Sequence, residues 1–203
     1  MLYDSILYCY RLFCYLLKFK KIKMTVKNNF YILTGGPGSG KTTLIEQLKR
    51  RGYDCVPEVG RAIIKKQLSF GGTALPWANV GNYSNLMLQY SLQDYISHSS
   101  EIGIHFFDRG IPDVLGYTEL INLSNQDIYI NSVENFRYNS TVFILPPWED
   151  IYKTDSERKQ DFKLATTTYN MMKMVYEKYN YKTVEVPCKP IPERINFILD
   201  RIE

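Results

Sequence analysis

Eight consecutive residues, Gly35-Gly36-Pro37-Gly38-Ser39-Gly40-Lys41-Thr42, set a lysine and a hydroxyl at the end of a glycine-rich run. They fit G-x-x-x-x-G-K-[ST], in which glycines let backbone N–H groups turn inward around phosphate oxygens that side chains would block. Lys41 is spaced to reach the β- and γ-phosphates of a nucleotide and the Thr42 hydroxyl to bind Mg²⁺, with Thr43 counted among the nucleotide contacts. A second candidate is Asp108, which ends the apolar run Ile104-His105-Phe106-Phe107. An acid at the tip of a buried strand suits a carboxylate that holds Mg²⁺ directly or through water.

Six further residues carry charge or a flat ring toward the same chemistry. Glu58 is either a general base or a carboxylate favoured by the dipole of the helix it precedes. Arg61, one turn along, either pairs with Glu58 or meets an anionic substrate. Arg109 follows Asp108 directly. Arg158 is either a lid cation that closes over a γ-phosphate or a solvated charge among Glu157, Lys159 and Asp161. Phosphoryl transfer depends mainly on positioning and charge neutralisation, which such cations supply. Trp77 and Trp148 either stack on a planar acceptor or anchor their loops.

Such groups need a frame, and the chain alternates strand and helix signals throughout. Phe30–Thr34 reads as a buried strand leading into the glycine loop, and Leu44, Ile45 and Leu48 as one face of the helix that follows. Arg51-Gly52 closes that helix. Asp54–Pro57 is a short second strand, and Ile63, Ile64 and Leu68 suggest a helix to about Ser69. A Gly/Pro loop (70–77) precedes a long helix from about Asn79, with Leu88, Leu92 and Ile96 on one stripe. The strand ending at Asp108 comes next, then helices around 113–122 and 126–137. A strand follows at Thr141–Leu145, then a charged stretch to Asp161. The following helix has a core stripe of Phe162, Ala165, Tyr169, Met172, Tyr176 and Tyr179. A strand at Thr183–Pro187 and a helix from Pro192 complete the chain. The pattern predicts an α/β fold: a five-stranded parallel sheet in three layers, with helices on both faces and ligands beyond the strands' C-terminal ends.

The 203 residues carry a net charge of +4. All of it lies in residues 1–23, where Arg11, Lys18, Lys20, Lys21 and Lys23 stand against Asp4. The remainder is neutral and offers no nucleic-acid footprint. Residues 1–23 are rich in Leu, Tyr and Cys, but Asp4 and Arg11 interrupt the roughly 20 apolar residues a membrane span needs. They are expected to be a leader without a role in the fold, with a single kinase-like domain over 24–203 and no membrane association of that part. The chain's four scattered cysteines and two histidines show no Cys/His zinc spacing. Reduced thiols and a cytoplasmic setting are expected.

Five segments, TGGPGSGKTTLI, VPEVGRAII, GGTALPW, FFDRGIPD and TVFILPPWEDIYKTDSERKQDF, resemble the AAA_28-type P-loop ATPases. These are relatives of ribosylnicotinamide kinase domains and of P-loop nucleoside and nucleotide kinases. The resemblance covers about residues 29–203 and leaves no length for the C-terminal lid domain of an AAA+ motor. It implies ATP at Gly35, Gly36, Pro37, Gly38, Ser39, Gly40, Lys41, Thr42 and Thr43, with Mg²⁺ at Thr42 and Asp108. It also implies that Asp108-Arg109-Gly110 matches a D/E-R-[SYG] triplet whose arginine orients phosphates and acceptor. Glu58 stands where those kinases have an acid that takes a hydroxyl proton, and Arg158 where they have a lid arginine (lid about 147–162). Cys188-Lys189 falls where relatives often hold adenine. The expected catalytic set is therefore Lys41, Glu58, Asp108, Arg109 and Arg158. The expected activity is transfer of the γ-phosphoryl of Mg-ATP to a nucleoside- or nucleotide-like acceptor. A regulatory ATPase with slow hydrolysis is the alternative.

Overall fold

The computed structural model describes residues 24–152 and 162–202. The expected leader, Arg158 and most of the expected lid lie outside the described residues. The strands are β1 (Thr25–Val26), β2 (Phe30–Gly35), β3 (Asp54–Val56), β4 (His105–Asp108), β5 (Phe136–Arg137), β6 (Thr141–Leu145) and β7 (Lys182–Glu185). The helices are α1 (Lys41–Arg50), α2 (Val59–Ser69), α3 (Val80–Ser97), α4 (Ile111–Leu120), α5 (Asp127–Asn135), α6 (Phe162–Lys178) and α7 (Ile191–Leu199).

Five strands form one parallel sheet in the order β3-β4-β2-β6-β7. The central strand β2 is buried along its whole length, as an unbroken apolar run between two helical layers must be. Its side chains alternate between the layers. Phe30 and Ile32 join Phe107 and Val142 under α3, α4, α5 and α6. Tyr31 and Leu33 join Phe106 and Phe143 under Leu44, Ile45 and Leu48 of α1 and Ile195 and Ile198 of α7. Burying each such large side chain contributes about 1.5–3 kcal/mol. Because the strands are parallel, the ends at Gly35, Val56, Asp108 and Leu145 all open on one edge. Among the described residues no helix is long and apolar enough to cross a membrane.

Three local expectations need correction. The helix expected over 126–137 stops at Asn135, because Phe136 and Arg137 pair in parallel with Thr25 and Val26. Two-residue strands leave no periodicity to read. On α3, Ile96 is 37% exposed, and Tyr95 takes the inward position beside Leu88 and Leu92. Tyr95 can do so because its hydroxyl donates to the carbonyls of Thr25 and Arg137 (3.1 and 2.8 Å), knitting α3 to the small β1–β5 ladder. On α2, Leu68 is exposed, and of Ile63, Ile64 and Leu68 only Ile63 is buried.

Candidate functional site

At the C-terminal edge of the sheet lies a cleft of about 1560 Å³. One wall is the glycine loop. Gly35 (φ 133°) lies so close to β6 that a Cβ there would meet the Leu145 carbonyl oxygen at 2.3 Å. Gly40 takes the left-handed conformation (φ 85°) that turns the loop into α1. The loop thus presents the N-terminus of a ten-residue helix, a ready site for an anion. Lys41, buried, folds back so that Nζ donates to the carbonyls of Gly35 and Gly36 (3.2 and 2.9 Å). Burial and the nearby Arg109 lower its pKa to about 8, although Asp108, Glu58 and Asp113 pull the other way. Thr42 and Thr43 are exposed at the first turn and line the cleft.

Asp108 faces this loop from β4, paired in register with Leu33 of β2. Its Oδ1 is buried with no hydrogen-bond partner among the described residues. Burial raises its pKa even against Lys41. An unsatisfied buried polar group costs about 1–3 kcal/mol. A hard cation or its bound water would meet that need, and the Thr42 hydroxyl lines the same cleft. This oxygen-only donor set fits Mg²⁺.

The opposite wall is a network of side chains. Arg109 Nε donates to Glu58 Oε1 (3.1 Å), and its Nη1 donates to Asp113 Oδ1 (3.2 Å). Asp113 also accepts from the Thr34 hydroxyl, the Tyr176 hydroxyl and the Gly110 N–H (2.8 Å), so all its lone pairs are used. Arg109 itself sits at φ 73°, a conformation that side chains other than glycine rarely adopt. Such a position costs on the order of 1 kcal/mol, and positions of this kind cluster at active sites. The acids around it raise the Arg109 pKa, so the strained residue is permanently cationic.

Glu58 lies on the same wall. It stands at the N-cap of α2 but makes no capping hydrogen bond. Its carboxylate goes to Arg109 and to Arg61 (3.6 Å). Burial pushes its pKa up, but Arg109, Lys41 and Arg61 together hold it below the ordinary value. Arg61 therefore pairs with Glu58. Trp77 is 66% exposed and lines the cleft, so it is not a buried anchor. Trp148 also lines the cleft, its Nε1 bonded to Asp150 Oδ2 (3.0 Å). Lys189 lines the cleft beside Pro190 and Ile191.

Two residues escape a reading of the sequence. Asp113 is the hub of the charged wall, and its only signal is an acid four residues after Arg109 in a first helical turn opened by Pro112. Arg194 of α7 is buried, donates from Nη2 to the Ser39 carbonyl (3.1 Å) and lies 5.6 Å from the Trp148 ring. It braces the glycine loop from a helix far along the chain, and no local pattern announces it.

The AAA_28 family, described as an AAA domain, matches residues 30–194. No curated protein matches the chain. Among solved structures, deoxyadenosine kinase from M. mycoides with the products dCMP and a flexible dCDP bound superposes with a TM-score of 0.58 at 16% identity, over 85% of this chain and 97% of that one. The same kinase with bound dATP gives a TM-score of 0.48 at 16% identity, over 85% of this chain and 98% of that one. The first of these superpositions establishes a common fold with a P-loop nucleoside kinase.

Proposed function

The chain belongs to the AAA_28 family of AAA domains, and from that membership we propose that it is a small-molecule kinase acting on a nucleoside- or nucleotide-like acceptor. The observation that carries the reading is the Glu58–Arg109–Asp113 network, which faces the glycine loop across one cleft. A protein that only bound and slowly hydrolysed a nucleotide has no need of a carboxylate held by an arginine on the acceptor side.

Mg-ATP would supply the transferable γ-phosphoryl group and the cation that neutralises charge on it. Lys41 would exchange its loop carbonyls for phosphate oxygens, and the N-terminus of α1 would add backbone donors. Asp108 and Thr42 would hold the cation. Arg109 stays charged and stabilises negative charge that develops between the two walls. Glu58 accepts the acceptor's hydroxyl proton as the new P–O bond forms and the bond to the departing diphosphate breaks. Its depressed pKa makes it a weak base, which a loose, largely dissociative transition state tolerates. That same weakness is what favours the second reading, a regulatory NTPase without a small-molecule acceptor.

The test is turnover of Mg-ATP by the full chain, alone and with pooled nucleosides, nucleotides and ribosides, with products read by mass. A phosphorylated acceptor that disappears in Lys41→Ala supports the kinase. Tight nucleotide binding with slow hydrolysis, unchanged by every pool, supports the regulator.

A further inference from the structure

At the opposite end of β4 from Asp108, three side chains with metal-ligating atoms converge. His98 caps the C-terminus of α3, Glu101 lies in the turn that follows, and His105 opens β4. One ligand atom from each lies within 4.8 Å of the others. Glu101 Oε2 is 3.3 Å from His105 Nε2. That is close to the ligand–ligand edge of about 3.4 Å that a tetrahedron with ~2.0–2.1 Å bonds requires.

The imidazole of His105 is an independent sign. It is wholly buried, and neither ring nitrogen makes a hydrogen bond among the described residues. The large majority of buried polar side-chain atoms have a partner, and one that lacks a partner needs an explanation such as an ion. His98 has the matching outer contact. Its Nδ1 lies 2.7 Å from the Asp94 carbonyl, so a proton on Nδ1 leaves Nε2 with a free lone pair. Metal-ligating histidines are oriented in this way, by a hydrogen bond from the other ring nitrogen.

The turn that carries the ligands is also held in place. Asn29 Nδ2 donates to the carbonyls of Glu101 (3.2 Å) and Gly103 (2.7 Å), and the His105 N–H donates to the Asn29 carbonyl (2.9 Å). Lys27 Nζ donates to the Ser99 carbonyl. Glu101 is half-exposed and leaves a path for an ion.

We propose that His98, Glu101 and His105 form a zinc site, two imidazoles and one carboxylate with water in the fourth position, that clasps the end of α3 to the start of β4. The imidazole–carboxylate donor set suits zinc and disfavours Mg²⁺, which seeks oxygen alone. The clasp is separate from the cleft and independent of the kinase reading.

The test strips the full chain with a chelator and titrates Zn²⁺ against a chromophoric competitor. Co²⁺ serves as a spectroscopic stand-in. One equivalent should bind, with the intense visible bands of a four-coordinate cobalt. At a hundredfold excess of zinc over Kd, the melting midpoint should rise by roughly 5–11 °C. Because His105→Ala empties a buried position and can unfold the chain, the decisive variants are His98→Ala and Glu101→Gln. Each should weaken zinc at least about tenfold and remove the melting shift, while Cys9→Ser/Cys14→Ser should keep both. Absence of zinc binding, or binding that His98→Ala and Glu101→Gln leave unchanged, overturns the proposal.

Discussion

The two walls of the cleft are made by different means. The phosphate wall is backbone: one contiguous loop, shaped by glycines, at the start of one helix. The other wall is side chain: Glu58, Arg109 and Asp113 line it, with the buried hydroxyls of Thr34 and Tyr176 bonded to Asp113 from behind, so that separate elements are joined by charge-assisted hydrogen bonds. A backbone wall keeps its shape when a single side chain changes. A networked wall shares its strain, so removing one member leaves the others buried and unpaired.

Variants can break or sharpen that contrast. The largest effect is expected at Lys41: Lys41→Ala should cut turnover about 10³-fold yet leave the thermal midpoint near that of the parent. A collapse in stability would show that the backbone wall depends on its lysine. Next comes Asp113→Ala, expected to cost about 3 kcal/mol in denaturant unfolding. Thr43→Ala, on the exposed phosphate wall, should stay within about 0.5 kcal/mol. Equal costs in the two variants would erase the distinction. Third, Glu58→Gln should lower kcat about 10²-fold with nucleotide affinity unchanged in a direct titration. A parallel loss of affinity would mean that the walls do not act separately.

Acidity supplies two smaller tests. Lys41, with its pKa near 8, loses its proton above that pH. Nucleotide affinity should therefore fall by up to about tenfold per pH unit above 8, flattening in Lys41→Ala. For folding the sign is opposite: between 8 and 10.5 the unfolded chain holds the extra proton, so this group makes the fold more stable as pH rises. The smallest effect belongs to Asp94, half-buried at the lining of the cleft, where burial raises its pKa to about 6. Ionised at pH 7 in a setting that disfavours the charge, it weakens the fold there. Asp94→Asn should raise the melting midpoint by about 2 °C at pH 7, a gain that shrinks as pH falls from 6 toward 3.8.

The same contrast explains what could be read from the residues alone. Glycine spacing, Lys41 and Thr42 announce the phosphate wall, since loop and helix are formed by neighbours in the chain. Asp108 is legible because a strand places its last residue at a known edge. Asp113 resembles any first-turn acid, and Arg194 any helical arginine, until α4 and α7 are docked. On α3, the stripe through Leu88 and Leu92 pointed to Ile96. Tyr95 took the place because its hydroxyl found two carbonyls on a ladder too short to foresee. The histidines told the same story: with no cysteine spacing to guide the eye, only the fold of the 98–105 turn brings Glu101 between them.

By itself the sequence determined the parallel α/β sheet, the glycine loop with its lysine, and the acid that faces it. Each rests on periodicity or on contacts between chain neighbours, and both are written in residue order. Tertiary structure alone decided the partner of Glu58, the hub at Asp113, the brace from Arg194 and the meeting of His98 with His105. Those contacts join segments far apart in the chain or across a turn whose shape depends on its neighbours, and only packing sets them.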